Sequence, residues 1–357
     1  MTGLERTKLL MAHKKADRIG IYEHFWGDTY RAWREAGKIK DGTDFTKLFG
    51  YDIAMAGWFN FAGDMTFKSE VVAEDEDTIT VKDQNYAILR RHKKHDSTPE
   101  HVDFTVKTRD KWEELIKPNI FADEKRINFE GFRNAKKYAQ ENDLYLFFSG
   151  VNVFELMHPV CGHEIMLMAM IDDPDWVTDM VTTYSKAIVE MEEMLFAKEG
   201  YPDGIWYYED MGFKGAPFMS PAMYKEFIYP AHKLTCDYAH SKKLPVMMHS
   251  CGFIEPLLPG MVEAGIDGLQ VIEVKAGMDL LRIYRDYGEK IALMGGIDVR
   301  ALYSNDRAVI DKELEAKIPI VKEGHAYFLH SDHSIPKTVD YETYEYFVER
   351  GLELGKM

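Results

Sequence analysis

Apolar residues recur at helical spacing across residues 4–15, and the short run 18–24 that follows reads as a first strand ending on Glu23 and His24. Residues 26–37 read as a helix stopped by glycine, and 51–57 as a second strand running into an aromatic loop, Trp58-Phe59-Asn60-Phe61. Then the rhythm changes. Between 67 and 106, apolar and polar positions alternate with period two in the runs 69–73, 78–81, 85–89 and 101–105, joined by Asp- and Glu-rich connections. That pattern predicts an antiparallel meander inserted into the chain. Helices over 108–116 and 128–141 lead to an apolar third strand, 144–149.

From there strands and helices alternate regularly. Helices 155–170 and 174–199 precede strand 204–209, and helix 221–241 precedes strand 245–249. Helix 255–264, strand 268–272, helix 278–287 and strand 290–294 follow, then helices 299–303 and 306–322, strand 326–330 and a last helix, 341–354. Strands separated by helices mean βαβ units and a parallel sheet. The eight strands, leaving the meander aside, favour a closed (β/α)8 TIM barrel over a doubly wound open sheet. The expected organisation is one barrel domain over residues 1–357, with 67–106 an antiparallel β insertion.

A barrel of this kind does its chemistry at the carboxyl ends of its strands. That makes a short list: Glu23, His24, Trp58, Asn60, Ser149, Asn152, Glu209, Asp210, His249, Cys251, Glu273, Asp298, His330, Asp332 and His333. Of these, Glu209, Asp210 and Asn152 are candidate catalytic groups, while Trp58, Asn60, Tyr208, His24 and Asp298 are candidate substrate contacts.

A chain of 357 residues with 46% hydrophobic side chains suits one barrel with additions. A formal charge of −16 is the wrong sign for holding nucleic acid by its phosphates. The basic run 90–95 reads as a solvated hairpin loop. No apolar run approaches the ~20 residues of a membrane span, and residues 1–15 lack the order of a signal peptide. Cys161, Cys236 and Cys251 form no CxxC pair and make an odd count, as expected of a reduced, cytoplasmic protein. No phosphate-binding glycine loop and no Gly-x-Ser-x-Gly elbow is present. Met166, Met168 and Met170 read as core filler, and His158, Cys161 and His163 as structural.

The strongest chemical signal is Val246-Met-Met-His-Ser-Cys-Gly252. Side chains at i and i+2 of an extended segment share a face, so His249 and Cys251 can grip one metal ion. Taken alone, the same pair also reads as a core cysteine beside a hydrogen-bonded histidine. A catalytic zinc site needs three protein ligands and an open position. The third is sought at the end of the last strand, His330 or His333, with Glu209 also close by at the end of the fourth. A thiolate and an imidazole favour zinc over magnesium or calcium.

Met219-Ser-Pro-Ala-Met-Tyr-Lys-Glu-Phe-Ile-Tyr-Pro230, Val246–Gly252, Gly265-Ile-Asp-Gly268 and Met294-Gly-Gly-Ile-Asp298 together resemble the uroporphyrinogen decarboxylase superfamily. Phe148-Ser-Gly150 and Asp173-Pro174 fit it too, and the likeness covers roughly 140–355. The resemblance implies a single (β/α)8 barrel. Its decarboxylases carry an Arg-Gln-Ala-Gly-Arg clamp for acidic side chains, which the stretch Arg34-Glu-Ala-Gly-Lys38 does not reproduce. A metal-free carboxy-lyase acting on a porphyrinogen is therefore the second reading.

The other branch, the corrinoid-dependent methyltransferases, is similar in carrying His-x-Cys as zinc ligands. Its thiol-methylating members add a cysteine near the last strand, where this chain has His333 and no cysteine beyond Cys251. Exchanging a thiolate for imidazole makes a stronger Lewis acid, suited to an ether or phenol oxygen. The expectation is an O-demethylase-type methyltransferase for methoxylated aromatics. Its cofactors would be zinc and a corrinoid (cobalamin) carried by a partner protein, and a homodimer is expected.

Overall fold

The computed structural model describes residues 1–57, 59–94 and 98–357. Among these, eight strands form one parallel sheet: Gly20–Ile21, Ile53–Ala56, Tyr145–Val151, Gly204–Tyr208, Val246–Ser250, Gly268–Val271, Ala292–Gly295 and Tyr327–Leu329. From the second strand onward each pairs with the next in sequence, and the last returns to the first, with Gly20 beside Phe328. The seam between first and second strands is closed by one residue. The Asp52 N–H donates to the Ile21 carbonyl (3.0 Å), and the Asp52 carboxylate accepts from the Ile21 N–H (2.9 Å). Arg6 (2.5 Å) and Arg18 (2.8 Å) neutralise that buried carboxylate, without which the charge would be costly to bury. The fold is the expected (β/α)8 barrel.

Alternation along each strand sorts its side chains into two cores. Phe147, Trp206, Met247, Met294 and Phe328 fill the barrel, together with Leu10 from helix Gly3–Met11. Their neighbours Phe148, Tyr207, Met248, Leu293 and Tyr327 face the surrounding helices. The aromatic trio at 206–208 is thereby divided: Trp206 is interior filler, Tyr207 bonds Glu192 outside the barrel (2.7 Å), and Tyr208 reaches the mouth.

The insertion is a four-stranded antiparallel sheet in meander order, Glu70–Glu74, Thr78–Lys82, Ala87–His92 and Glu100–Phe104. Three expectations shift. The first strand is only Gly20–Ile21, because the Glu23 carboxylate accepts from the Ser331 and His24 N–H groups (2.8 and 2.9 Å) and draws the chain out of the ladder. The helix expected over 155–170 is two, Val153–Cys161 and His163–Asp172, broken at Gly162, whose φ of +80° suits glycine. The helix expected over 221–241 holds a π-helical turn, Tyr224–Ile228, just before Pro230, which has no N–H to donate. No helix among the described residues is long and apolar enough to cross a membrane.

Candidate metal centre at the barrel mouth

Register decides which side chains meet. In the fourth, fifth and sixth strands Tyr208, His249 and Gln270 are direct neighbours, so a phenol, an imidazole and an amide stand side by side where the barrel opens. Two residues beyond the fourth strand comes Asp210, and one beyond the fifth comes Cys251. His249 Nε2 lies 3.2 Å from both the Cys251 Sγ and an Asp210 oxygen, and ligand atoms of all three fall within 4.8 Å of one another.

The loops are laced to hold this arrangement. Asp210 accepts from the Cys251 N–H (2.7 Å), the Ser250 hydroxyl from the Met211 N–H (3.1 Å), and Glu273 from the Gly252 N–H (2.7 Å). Gly252 has φ +78°, and a Cβ on it would lie 2.2 Å from the Gly212 carbonyl carbon, so two backbones cross where only glycines fit.

The three donors suit zinc. Bonds of about 2.0–2.3 Å in a tetrahedron put neighbouring donor atoms about 3.4–3.6 Å apart, within a few tenths of an ångström of the two 3.2 Å separations at His249 Nε2. Three protein ligands leave the fourth position open. His249 Nδ1 donates to the Gln270 Oε1, which fixes the tautomer and aims Nε2 at the site, as an outer partner of a metal-bound imidazole does. Burial disfavours charge on His249, but neighbouring Cys251 and Asp210 outweigh it and raise its pKa well above the ordinary value. Burial also opposes charge on Asp210, yet the His249 partner holds its pKa down at about 2. Burial pushes the Cys251 thiol up to about 11 against the pull of His249. An entering cation would take the place of the Cys251 proton.

Behind these donors lies a neutral imidazole pair. His24 Nδ1 is 3.0 Å from His330 Nε2, the His24 Nε2 is 3.0 Å from the Tyr208 hydroxyl, and Gln270 Nε2 is 3.2 Å from His330 Nε2. With His330 Nδ1 donating to the Ser331 carbonyl, His330 Nε2 is the acceptor for the other two. Burial lowers both imidazole pKa values, that of His330 to about 3. These groups line a cavity of about 240 Å³ with Trp26, Thr98 from the insertion, and His333, which stacks on Trp26 (ring centroids 6.0 Å). The described lining residues include no Arg or Lys.

The expected site residues thus divide. His249, Cys251 and Asp210 come together; His24, Tyr208, His330 and His333 line the same cavity outside that donor group. Glu209 is fully buried and turned to the helix layer, accepting from the Phe154 and Glu155 N–H groups (2.9 and 3.1 Å) and bonding His232 (2.8 Å). Asn152 caps helix Val153–Cys161 and bonds Thr235, and Asp298 caps helix Val299–Tyr303 and pairs with Arg300. The Asn60 side chain caps its own loop at the Ala62 N–H. Trp58 lies outside the described residues. Sequence reasoning missed Gln270, whose signal was an amide inside an apolar strand, and it placed Asp210 among catalytic groups rather than among donors.

A family model for uroporphyrinogen decarboxylase (URO-D) matches residues 95–353. The chain belongs to the uroporphyrinogen decarboxylase family. No curated protein matches it. Among solved structures it is similar to a methyltransferase from Methanosarcina mazei, at 14% identity over 99% of both chains with a TM-score of 0.68, a likeness of fold. A Xaa-Pro dipeptidase with methionine bound in its active site aligns over 63% of this chain and 58% of its own, at 14% identity and a TM-score of 0.31, too low to bear on the argument.

Proposed function

We propose that the chain is a corrinoid-dependent methyltransferase. It would move a methyl group between the oxygen of a small methoxylated aromatic and the cobalt of a cobalamin held by a partner protein. The observation that carries this reading is the donor set His249, Cys251 and Asp210 opening into a small cavity whose described lining has no Arg or Lys. At about 240 Å³ that cavity falls below the ~300–1,000 Å³ of drug-sized ligand pockets, which suits a one-ring substrate better than a tetrapyrrole. The stretch Arg34 to Lys38 supplies no clamp for several carboxylates, since Arg34, at the end of helix Gly27–Glu35, pairs with Asp41. The URO-D family and the fold shared with a methyltransferase agree with this reading.

When bound by His249, Cys251 and Asp210, zinc supplies a Lewis acid for the departing oxygen. The chain's own part is orientation. Gln270 holds the imidazole, and the Asp210 carboxylate and the Cys251 sulfur fix the remaining donor directions. Tyr208, kept protonated by burial, and Trp26 and His333, stacked on each other, give the aromatic ring of the substrate a wall to pack on. As the methyl carbon leaves, its bonding pair stays on oxygen, and a dry cavity strengthens every interaction with that charge.

The test mixes zinc-loaded protein with cob(I)alamin and a panel of methoxylated phenols, following methylcobalamin optically and the freed phenol by chromatography. Methyl transfer is expected in the wild type and its loss in H249A and C251S. Undiminished transfer by H249A, or by chelator-stripped protein, would sink the proposal. Carbon dioxide release from a porphyrinogen by metal-free protein would establish the decarboxylase instead.

A further inference from the structure

A second set of donors lies away from the barrel mouth group. His101 stands on the insertion strand Glu100–Phe104, His158 in the last turn of helix Val153–Cys161, and His163 at the start of helix His163–Asp172. The left-handed turn at Gly162 folds the two helices so that the His158 and His163 rings stack with centroids 4.1 Å apart and planes 20° from parallel. The His101 ring lies 6.0 Å from the first and 6.4 Å from the second. One ligand nitrogen from each residue falls within 4.8 Å of the others.

Two details point to a missing partner. His158 Nε2 bonds the Glu155 carboxylate (2.9 Å), but its buried Nδ1 has no hydrogen-bond partner. A buried polar nitrogen left unpaired is costly and calls for an explanation. The surroundings are apolar on several sides, where Phe104, Phe154 and Phe218 contact the cluster. Three imidazoles packed against phenylalanine gain little from one another. Burial, followed by the neighbouring histidines, lowers the His163 pKa to about 4, and burial with His158 lowers that of His101. Asp83 and Glu155 pull the other way on His101, as Asp210 does on His163. Neutral imidazoles keep their lone pairs available to a cation.

We propose that His101, His158 and His163 form a second metal site, for a divalent ion of imidazole preference such as zinc, that latches the inserted sheet to the barrel. Rotation of the rings brings their nitrogens toward the ~3.3 Å separations of a tetrahedral site, while Glu155, held on His158 Nε2, orients that ring with its Nδ1 free for the ion. The latch has a consequence for the mouth. His101 stands three residues from Thr98, which lines the cavity at His249 and Cys251, so an ion here fixes where the insertion lies over that cavity. This site is independent of the proposed reaction.

The experiment is zinc stoichiometry by mass spectrometry on the purified full chain, with a chromophoric chelator as competitor, in wild type, C251S, H101Q, H163Q and the double variant H101Q/C251S. The expected result is two equivalents for the wild type, one for each single variant and none for the double variant. Zinc is also expected to raise the melting temperature of C251S but not of H101Q/C251S. A single equivalent, lost in C251S and kept in both H101Q and H163Q, overturns the latch and leaves the mouth site standing. A single equivalent lost in H101Q and kept in C251S supports the latch and refutes the mouth site. Using both H101Q and H163Q guards against one of them failing to fold.

Discussion

Glu192 offers the sharpest test of how burial sets charge in this barrel. It sits on helix Pro174–Glu199 with no solvent exposure, and its Oε1 accepts from the Tyr207 hydroxyl at 2.7 Å while Oε2 has no partner. Burial raises its pKa from 4.5 to about 8, against the smaller opposing effect of the Tyr207 hydrogen bond. The folded chain therefore keeps the proton while the unfolded chain gives it up above pH 4.5. For a raised folded pKa, the stabilisation is complete below 4.5 and is lost as pH rises to about 8.

The window of 8 − 4.5 = 3.5 units, at ~1.36 kcal/mol each, amounts to on the order of 4–5 kcal/mol. Glu192→Gln keeps the acceptor for Tyr207 and cannot ionise. Urea unfolding followed by far-ultraviolet circular dichroism should find the variant within ~1 kcal/mol of wild type near pH 5 and more stable by on the order of 4 kcal/mol near pH 8. Glu23 and Asp332, whose pKa values burial raises to about 8 and about 6, titrate in both proteins and cancel in the difference. An advantage of equal size at both pH values would mean that Glu192 is not held neutral, and would refute the reasoning.

Two further predictions concern the mouth. Gln270→Leu removes the acceptor that aims His249 and should weaken zinc binding there by about 10–100-fold, read by chelator competition; unchanged affinity would show that the imidazole needs no such partner. Gly252→Ala places a Cβ against the Gly212 backbone at a left-handed φ and should cost on the order of 1–3 kcal/mol or more, with loss of zinc from the mouth. An unaltered urea midpoint together with unaltered zinc content would contradict that account.

Much of the fold was legible because its code is local. Strand and helix periods, and apolar runs bounded by Gly and Pro, need only neighbours along the chain, and they located eight βα units and the inserted sheet. The same local reasoning put His249 and Cys251 on one face of a strand end. It failed where a single backbone conformation mattered, as at Gly162: an apolar periodic run hides the break that one left-handed residue makes. His158 and His163 are consequently read as members of one helix, when they face each other across a turn.

By itself, then, the sequence determined the barrel, the insertion and the His-x-Cys pair at the end of the fifth strand. Only the tertiary structure decided what completes that pair. Glu209 and Asp210 are adjacent in sequence, and nothing local says which one faces the mouth. Closure of the barrel turns Glu209 outward to cap a helix and bond His232, and leaves Asp210 beside His249 and Cys251. Likewise the strand register, a property of paired segments far apart in the chain, sets Gln270 beside His249. Ligand geometry depends on distances across strands, which no pattern along one strand encodes.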